Sequence, residues 1–229
     1  MLFTACYFIE LGYPRQLNHL AIAIGHPDFP IVLKKFIYQR RHPNRELPLD
    51  FEHRVKFDGK IDVFHSAIAT LFSPSDECGP HGMRREFIRS HPSWYGNHQP
   101  RHDTVFVVTD DDRPGMEGML IARIHLFFSY FDDYLRENVP CALVSWFVPV
   151  GDQPDEVTGM WMVTPERIAG QTPLQVIHIE SIARGSHLLP EFGKGFLGEN
   201  FSFVDALDAF KTFYVSSYID HHAHHLLRT

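Results

Sequence analysis

Five runs of strand-forming residues, TVFVVT, MLIARIHLFFSYF, VPCALVSWFVPV, GMWMVT and LQVIHIESI, lie between Thr104 and Ile182, separated only by short loops such as DDDRPGMEG and VGDQPDEVTG. A parallel pair needs a crossover of a dozen or more residues, usually helical, and none of these loops has room for one. The runs therefore pair antiparallel, which implies a small barrel or sandwich. Twenty phenylalanines supply the large apolar bodies that fill such a core, and 229 residues suffice to bury it without staples.

The flanking segments read as helical. Leu17, Leu20, Ala21 and Ile24 follow a spacing of three and four, with Gly25 and Pro27 as a stop signal. In PDFPIVLKKFIYQRRHP the apolar positions Ile31, Phe36 and Ile37 sit among Lys34, Lys35, Arg40 and Arg41, giving a second helix that ends near Pro43. IDVFHSAIATLF alternates as one strand and SPSDECGPHGM follows as a loop. GMRREFIRSHPSWYGNHQP reads as a basic helix stopped at Pro92, then a loop to Pro100. At the far end, FVDALDAFKTFYVSSYIDHHAHHLL reads as one amphipathic helix with Leu207, Phe210, Tyr214 and Tyr218 on its stripe. The expected class is α+β: residues 1–102 form a mainly helical annex with one strand and the basic helix, and residues 103–229 form an antiparallel β-barrel closed by the C-terminal helix.

Three cysteines, Cys6, Cys78 and Cys141, lie far apart with no CxxC pair, which points to a reducing compartment. The opening MLFTACYFIELGYP lacks a basic region and reaches Glu10 before any long apolar run, so it does not read as a secretory signal. No stretch has the roughly 18 apolar residues of a membrane span. The expectation is a soluble protein of the nucleus or cytoplasm, not secreted and with no membrane partner. Net charge is −7, divided unevenly: residues 1–102 carry 13 basic and 10 acidic groups, 103–156 carry 3 and 11, and 157–229 carry 5 and 7. A mildly basic first part thus precedes an acidic middle.

Candidate chemistry starts with YIDHHAHHLL. On a helix His221 and His225 share a face at the spacing of two zinc ligands, with His178 or His187 as further donors. HEXXH is absent and Asp220 precedes the pair, so no helical carboxylate is set to activate a bound water. Histidines in a last turn also suit the negative end of a helix dipole. The expectation is a structural helix end, with no metal or cofactor; the alternative is a metal-dependent hydrolase with His221 and His225 as its ligands. No GxxxxGK[ST] or GxSxG pattern occurs. Cys78 beside His81 has no recognisable third partner for a thiolate nucleophile. The aspartates of TDDD, residues 109–112, precede Arg113 and Pro114 and read as turn chemistry. Arg84, Arg85, Arg89 and Arg101, interleaved with Trp94 and Tyr95, suit packing within the protein, as on an interdomain face; the alternative is a nucleic-acid-binding module that clamps phosphates and stacks bases.

In order along the chain, FHSAIATLFSPSD, GMRREFIRSHPSW, RHDTVFVVTD, GMEGMLIARIHLFFSY, PCALVSWFVPVGDQPDEVTGMWMV, VIHIESIARGSHLLPEFG and LDAFKTFYVSSYIDHHAHH resemble the C-terminal region of proteins encoded by Plavaka-type DNA transposons of mushroom-forming fungi, relatives of the KDZ elements. The resemblance covers roughly residues 26 to 225. It implies a piece lying downstream of an RNase H-like catalytic core, so no catalytic residue carries over. Its implied role is assembly, or contact with DNA target or chromatin, with the upstream part of the parent protein or a second copy as partner. Two features depart from the pattern: Ser216 and Ser217 replace an Asn-Lys pair before the terminal histidines, and DDYLREN lengthens a hairpin. The strand order is also similar to that of bromo-adjacent homology domains, small barrels of chromatin proteins. That resemblance implies an aromatic cage for methylated lysine built from Trp146, Phe147 and Trp161, with Asp152, Asp155 and Glu156 attracting a basic histone tail. Strand alternation sends one of each aromatic pair to the core, and Phe147 is the expected core member.

Overall fold

A computed structural model describes residues 2–5, 10, 12–73, 82–94, 99–193, 195–198 and 201–228. Along the chain run β1 (Leu2–Ala5), α1 (Leu17–Ala23), α2 (Phe29–Arg41), α3 (Phe51–Arg54), β2 (Ile61–Phe64), β3 (Ser66–Phe72), β4 (Met83–Trp94), β5 (Gln99–His102) and β6 (Thr104–Val108). There follow β7 (Met119–Asp132), β8 (Glu137–Pro149), β9 (Met162–Pro165), β10 (Leu174–His178), β11 (Ile182–Ser186), β12 (Leu188–Pro190), α4 (Ala206–Ala209), β13 (Phe213–Val215) and α5 (His221–Arg228).

All strand pairs are antiparallel. The larger sheet has the order β11-β6-β7-β8-β9-β13-β12, with β10 also pairing β8 and β2 also pairing β7. Its two end strands, β11 and β12, are joined in the chain by His187 alone, so the sheet comes back upon itself as a nearly closed barrel. The long hairpin β7–β8 is its spine. β7 pairs β6 over Met119–Arg123 and β2 over Phe127–Tyr130, and a bulge at His125 falls between the two partners. Such a bulge bends a strand and re-aims the extra side chain. The smaller sheet, β1-β3-β4-β5, covers one side of the barrel.

Three apolar clusters follow from this layering. Leu20, Phe29, Leu33 and Ile37 of the helices pack on Val63, Phe128, Tyr130 and Leu143, with the Phe29 and Phe128 rings edge to face at 5.1 Å. Burying each such ring stabilises the fold by about 1.5–3 kcal/mol. Ala67, Ala69 and Ile88 of the small sheet meet Val105, Ala122, Ile124 and Val144 of the barrel. Phe106, Ile121, Phe147, Val163 and Phe213 fill the third. These clusters draw on residues from both sides of residue 102. Among the described residues no helix is long and apolar enough to cross a membrane.

Several sequence expectations are corrected. Residues 83–94 are a strand and not a basic helix: their alternation has a period of two, and pairing on both edges with β3 and β5 overrides the helical preference of Arg and Glu. IDVFHSAIATLF is two strands that part at His65 and enter different sheets. In α2 the buried positions are Phe29, Leu33, Ile37 and Tyr38, while Ile31 is exposed. The segment from Phe203 to Leu227 is not one helix, because Phe213 and Val215 alternate into the barrel as β13 before α5 begins. The terminal histidines therefore stand at the first turn of α5, the positive end of its dipole. Asp220 caps that end, accepting from the Ala223 amide at 2.7 Å.

Candidate functional site

Period-two alternation divides the charges of β4 between two faces. Arg84, Glu86, Ile88 and Ser90 turn inward, whereas Met83, Arg85, Phe87 and Arg89 turn outward, opposite Phe72, Thr70, Ile68 and Ser66 of β3. Arg84 is consumed internally by Asp220, at 3.0 Å, and Glu86 accepts from the Gly185 amide at 3.0 Å. On the outward face Phe72 and Phe87 are 61% and 48% exposed, which is uncommon for phenylalanine and leaves two ring faces open beside the exposed Arg85. The Arg89 guanidinium stands 5.6 Å from the Phe87 ring centre and 4.9 Å from that of Trp94. Arg101, across the β4–β5 hairpin, stands 5.0 Å from the same indole. Asp103 braces the hairpin by accepting from Arg101 Nε at 2.7 Å and from the Arg89 amide at 2.9 Å. The result is a continuous row, Phe87, Arg89, Trp94, Arg101, in which guanidinium planes and aromatic faces alternate. Below it lies a cavity of about 430 Å³ lined by Trp94, Arg101, His102, Arg123 and Phe203. Tyr95 lies outside the described residues.

The second constellation is larger and was not foreseen. The bulge at His125 aims its ring at Ser145 on β8, with Nε2 to Oγ at 2.8 Å. The His26 ring meets His125 edge to face at 5.0 Å, and the His102 ring lies 5.9 Å from His125. His26, His125, Ser145 and Arg123 border a cavity of about 560 Å³. Burial, aided by His26, Arg123 and His102, pushes the His125 imidazole down to about 3. Burial also lowers His26 and His102. A serine-histidine pair suggests nucleophilic catalysis, but a general base works best when poised near the operating pH, and His125 is far below it. Ser145 lies mid-strand between Arg123 of β7 and Leu174 of β10, where the ladders engage the amides an oxyanion hole would use. The hydrogen bond gives each of these two enclosed polar groups a partner.

No family model, curated protein or solved structure matches this chain. Its functional reading therefore rests on where the side chains stand. Trp146 is buried, donates from Nε1 to Gln175 at 2.9 Å and lines the 560 Å³ cavity; Trp161 lines a different one, beside Met116 and Leu227. Phe147 is in the core, edge to face with Phe213. The three aromatics share no cage. Asp152 and Glu156 are exposed in the β8–β9 loop, while Asp155 turns back to accept from the amide and hydroxyl of Thr158, bonds that hold its carboxyl below the usual range. His221 and His225 are exposed on α5. His178 accepts from the Glu180 amide at 3.3 Å, and His187 accepts through its carbonyl from Ser216. Among the described residues no three ligand-type side chains converge on one point. Asp110 accepts from the Asp112 amide and pairs with Arg113, as turn chemistry requires. Cys78 and His81 lie outside the described residues.

The sequence groups Arg89, Trp94 and Arg101, which the hairpin does bring together, but gives no hint of Phe72 and Phe87 beside them. One signal for the pocket was present: in MLIARIHLFF the polar Arg123 and His125 interrupt an apolar run.

Proposed function

We propose that this chain is a non-catalytic binding module, an accessory region of a transposon-derived protein that holds a single nucleic-acid strand on the outer face of its small sheet. The row of Phe87, Arg89, Trp94 and Arg101 carries this reading. Sheet faces that present aromatic rings stack unpaired bases, each worth about 1–3 kcal/mol, while arginines track the phosphates. Arg85 and Phe72 extend the row along β3 and β4. A binding role also accords with the weak basicity of His125. The transposon assignment draws on the seven sequence blocks and their order, and with it come a nuclear or cytoplasmic setting and the parent protein or a second copy as assembly partner. A bromo-adjacent homology-like barrel is the finer reading of the larger sheet, drawn from the same strand order.

The test is fluorescence anisotropy with a labelled single-stranded oligonucleotide across a salt series. Wild-type affinity is expected to fall steeply with salt, the Arg85→Ala/Arg89→Ala variant to flatten the log–log slope by about 1 to 2, and Trp94→Ala to weaken binding roughly tenfold. Circular dichroism confirms that each variant is folded. Affinity that ignores salt, or that survives both variants, overturns the reading.

A further inference from the structure

The 560 Å³ cavity between the α1–α2 turn, the β7–β8 spine and the β9–β10 loop has a cationic floor. Arg123, on β7 directly opposite Ser145, donates from Nη1 to Asp208 of α4 at 2.8 Å, and its Nε is buried with no hydrogen-bond partner. A buried donor left unmade costs about 1–3 kcal/mol. A guanidinium offers a planar fork that fits both oxygens of a carboxylate or phosphate, and Asp208 engages only one arm of it. Asp208 itself is 69% exposed, on a four-residue helix, so the pair is easily exchanged. Around the guanidinium stand His26, His125 and Ser145, with Arg167 on the exposed β9–β10 loop and the Trp146 ring as an apolar wall. This volume lies within the range of small-molecule sites, and a few convergent polar groups in an apolar frame are their usual design.

We propose that this cavity binds a small organic oxyanion, its carboxylate or phosphate taken by Arg123 and its body lying against Trp146, with Asp208 as the internal carboxylate that the ligand displaces. Asp208 then acts as a built-in competitor, and the α4 segment, which also contributes Leu207 to the wall, moves aside when the ligand enters. His26 and His125 serve as neutral hydrogen-bond partners to the ligand. Asp28 is the acidic group on the α1–α2 side of the same cavity, and it favours ligands with a single charged end. This cavity adjoins the one beneath the nucleic-acid row and shares Arg123 with it, while His26 and His125 line only the 560 Å³ cavity and report on it separately.

The probes are inorganic phosphate and benzoate, titrated into the whole chain while the His26 and His125 ring resonances are followed by NMR. Saturable shifts of both rings with either probe are expected, and which probe binds tighter tells phosphate from carboxylate. Asp208→Asn removes the competitor and is expected to tighten binding about two- to fivefold, the value of an exposed ion pair. Arg123→Gln is expected to abolish it. Should Arg123→Gln fail to fold, Asp208→Asn decides the matter alone. No saturable shift with either probe, shifts confined to His91 near the Trp94 row, or an Asp208→Asn variant that binds no tighter than wild type overturns the proposal.

Discussion

Arg184, 1% exposed, meets Asp220 through two hydrogen bonds of 2.8 Å, tying the last helix to the barrel wall. Glu86 at 3.6 Å, Arg84 and the His222 ring complete the network. A bidentate pair this enclosed is costly to break from one side, because the partner is left charged and dry. Asp220→Asn is therefore expected to lower unfolding stability by roughly 3–5 kcal/mol in urea titration. Replacing Arg84, which is more exposed, should cost about 1 kcal/mol or less. Equal losses in the two variants would contradict this ranking.

The same pair sets an acid limit. Burial pushes the Asp220 carboxyl up, but the hydrogen bonds from Arg184 and the Ala223 amide outweigh it and leave it at about 2. The folded state thus prefers the carboxylate. That stability is present above the ordinary carboxylate pKa near 4 and is lost as pH falls through about 2. Between these values wild type should weaken steeply in denaturant midpoints, and Asp220→Asn should show a shallower slope.

His125 adds a second dependence at higher pH. Its folded-state imidazole is held neutral, whereas the unfolded one titrates near 6.5, so protonation favours unfolding. The contribution is present above about 6.5 and declines as pH falls toward 3. A His125→Gln variant should lose less stability than wild type between pH 7 and pH 5, read as the change in urea midpoint. By NMR, the wild-type His125 ring should not titrate across that interval.

The barrel was legible because strand periodicity and loop length act locally: TVFVVT, MLIARIHLFFSYF and VPCALVSWFVPV became β6, β7 and β8. What failed was decided by distant partners. MRREFIRSH has charges that favour a helix alone, and only the edges of β3 and β5 make it a strand. Phe213 and Val215 form β13 because Met162, Val163 and the β12 edge were waiting for them. The site divides the same way. Arg89, Trp94 and Arg101 are near neighbours in the chain and could be grouped by eye. The pocket joins His26, Arg123, His125 and Ser145 from the α1–α2 turn, β7 and β8, and its decisive device, a bulge, exists only once β7 has two partners.

Cys141 gives a prediction about reactivity. It lies on β8 inside the helix-facing core, and burial pushes its thiol up. The thiolate is the nucleophile, so a buried thiol with a raised pKa is inert. Iodoacetamide at neutral pH is expected to leave the Cys141 peptide unlabelled in native protein and to label it in urea, as read by mass spectrometry. Fast native labelling would mean that the α2–β8 packing is open in solution.

Gly118 is the position where a single methyl group should do most harm for its size. The β6–β7 turn brings the carbonyl oxygens of Arg113 and Asp110 to 2.2 Å and 2.5 Å from where a Cβ would stand. Both are backbone atoms, and Asp110 is fixed by its bonds to the Asp112 amide and Arg113, so neither can swing away as a side chain would. The backbone around the glycine is itself committed, since its carbonyl accepts from the Thr109 amide at 2.9 Å and from the Thr109 hydroxyl at 3.2 Å. Gly118→Ala is expected to cost more than about 2 kcal/mol by forcing the turn open. Gly151→Ala makes the control: it has open space around its Cβ and only its positive φ to oppose the change, a cost of about 1 kcal/mol. A thermal melt of the two variants decides the point, and a Gly118→Ala protein as stable as Gly151→Ala would show that the turn has another way to close.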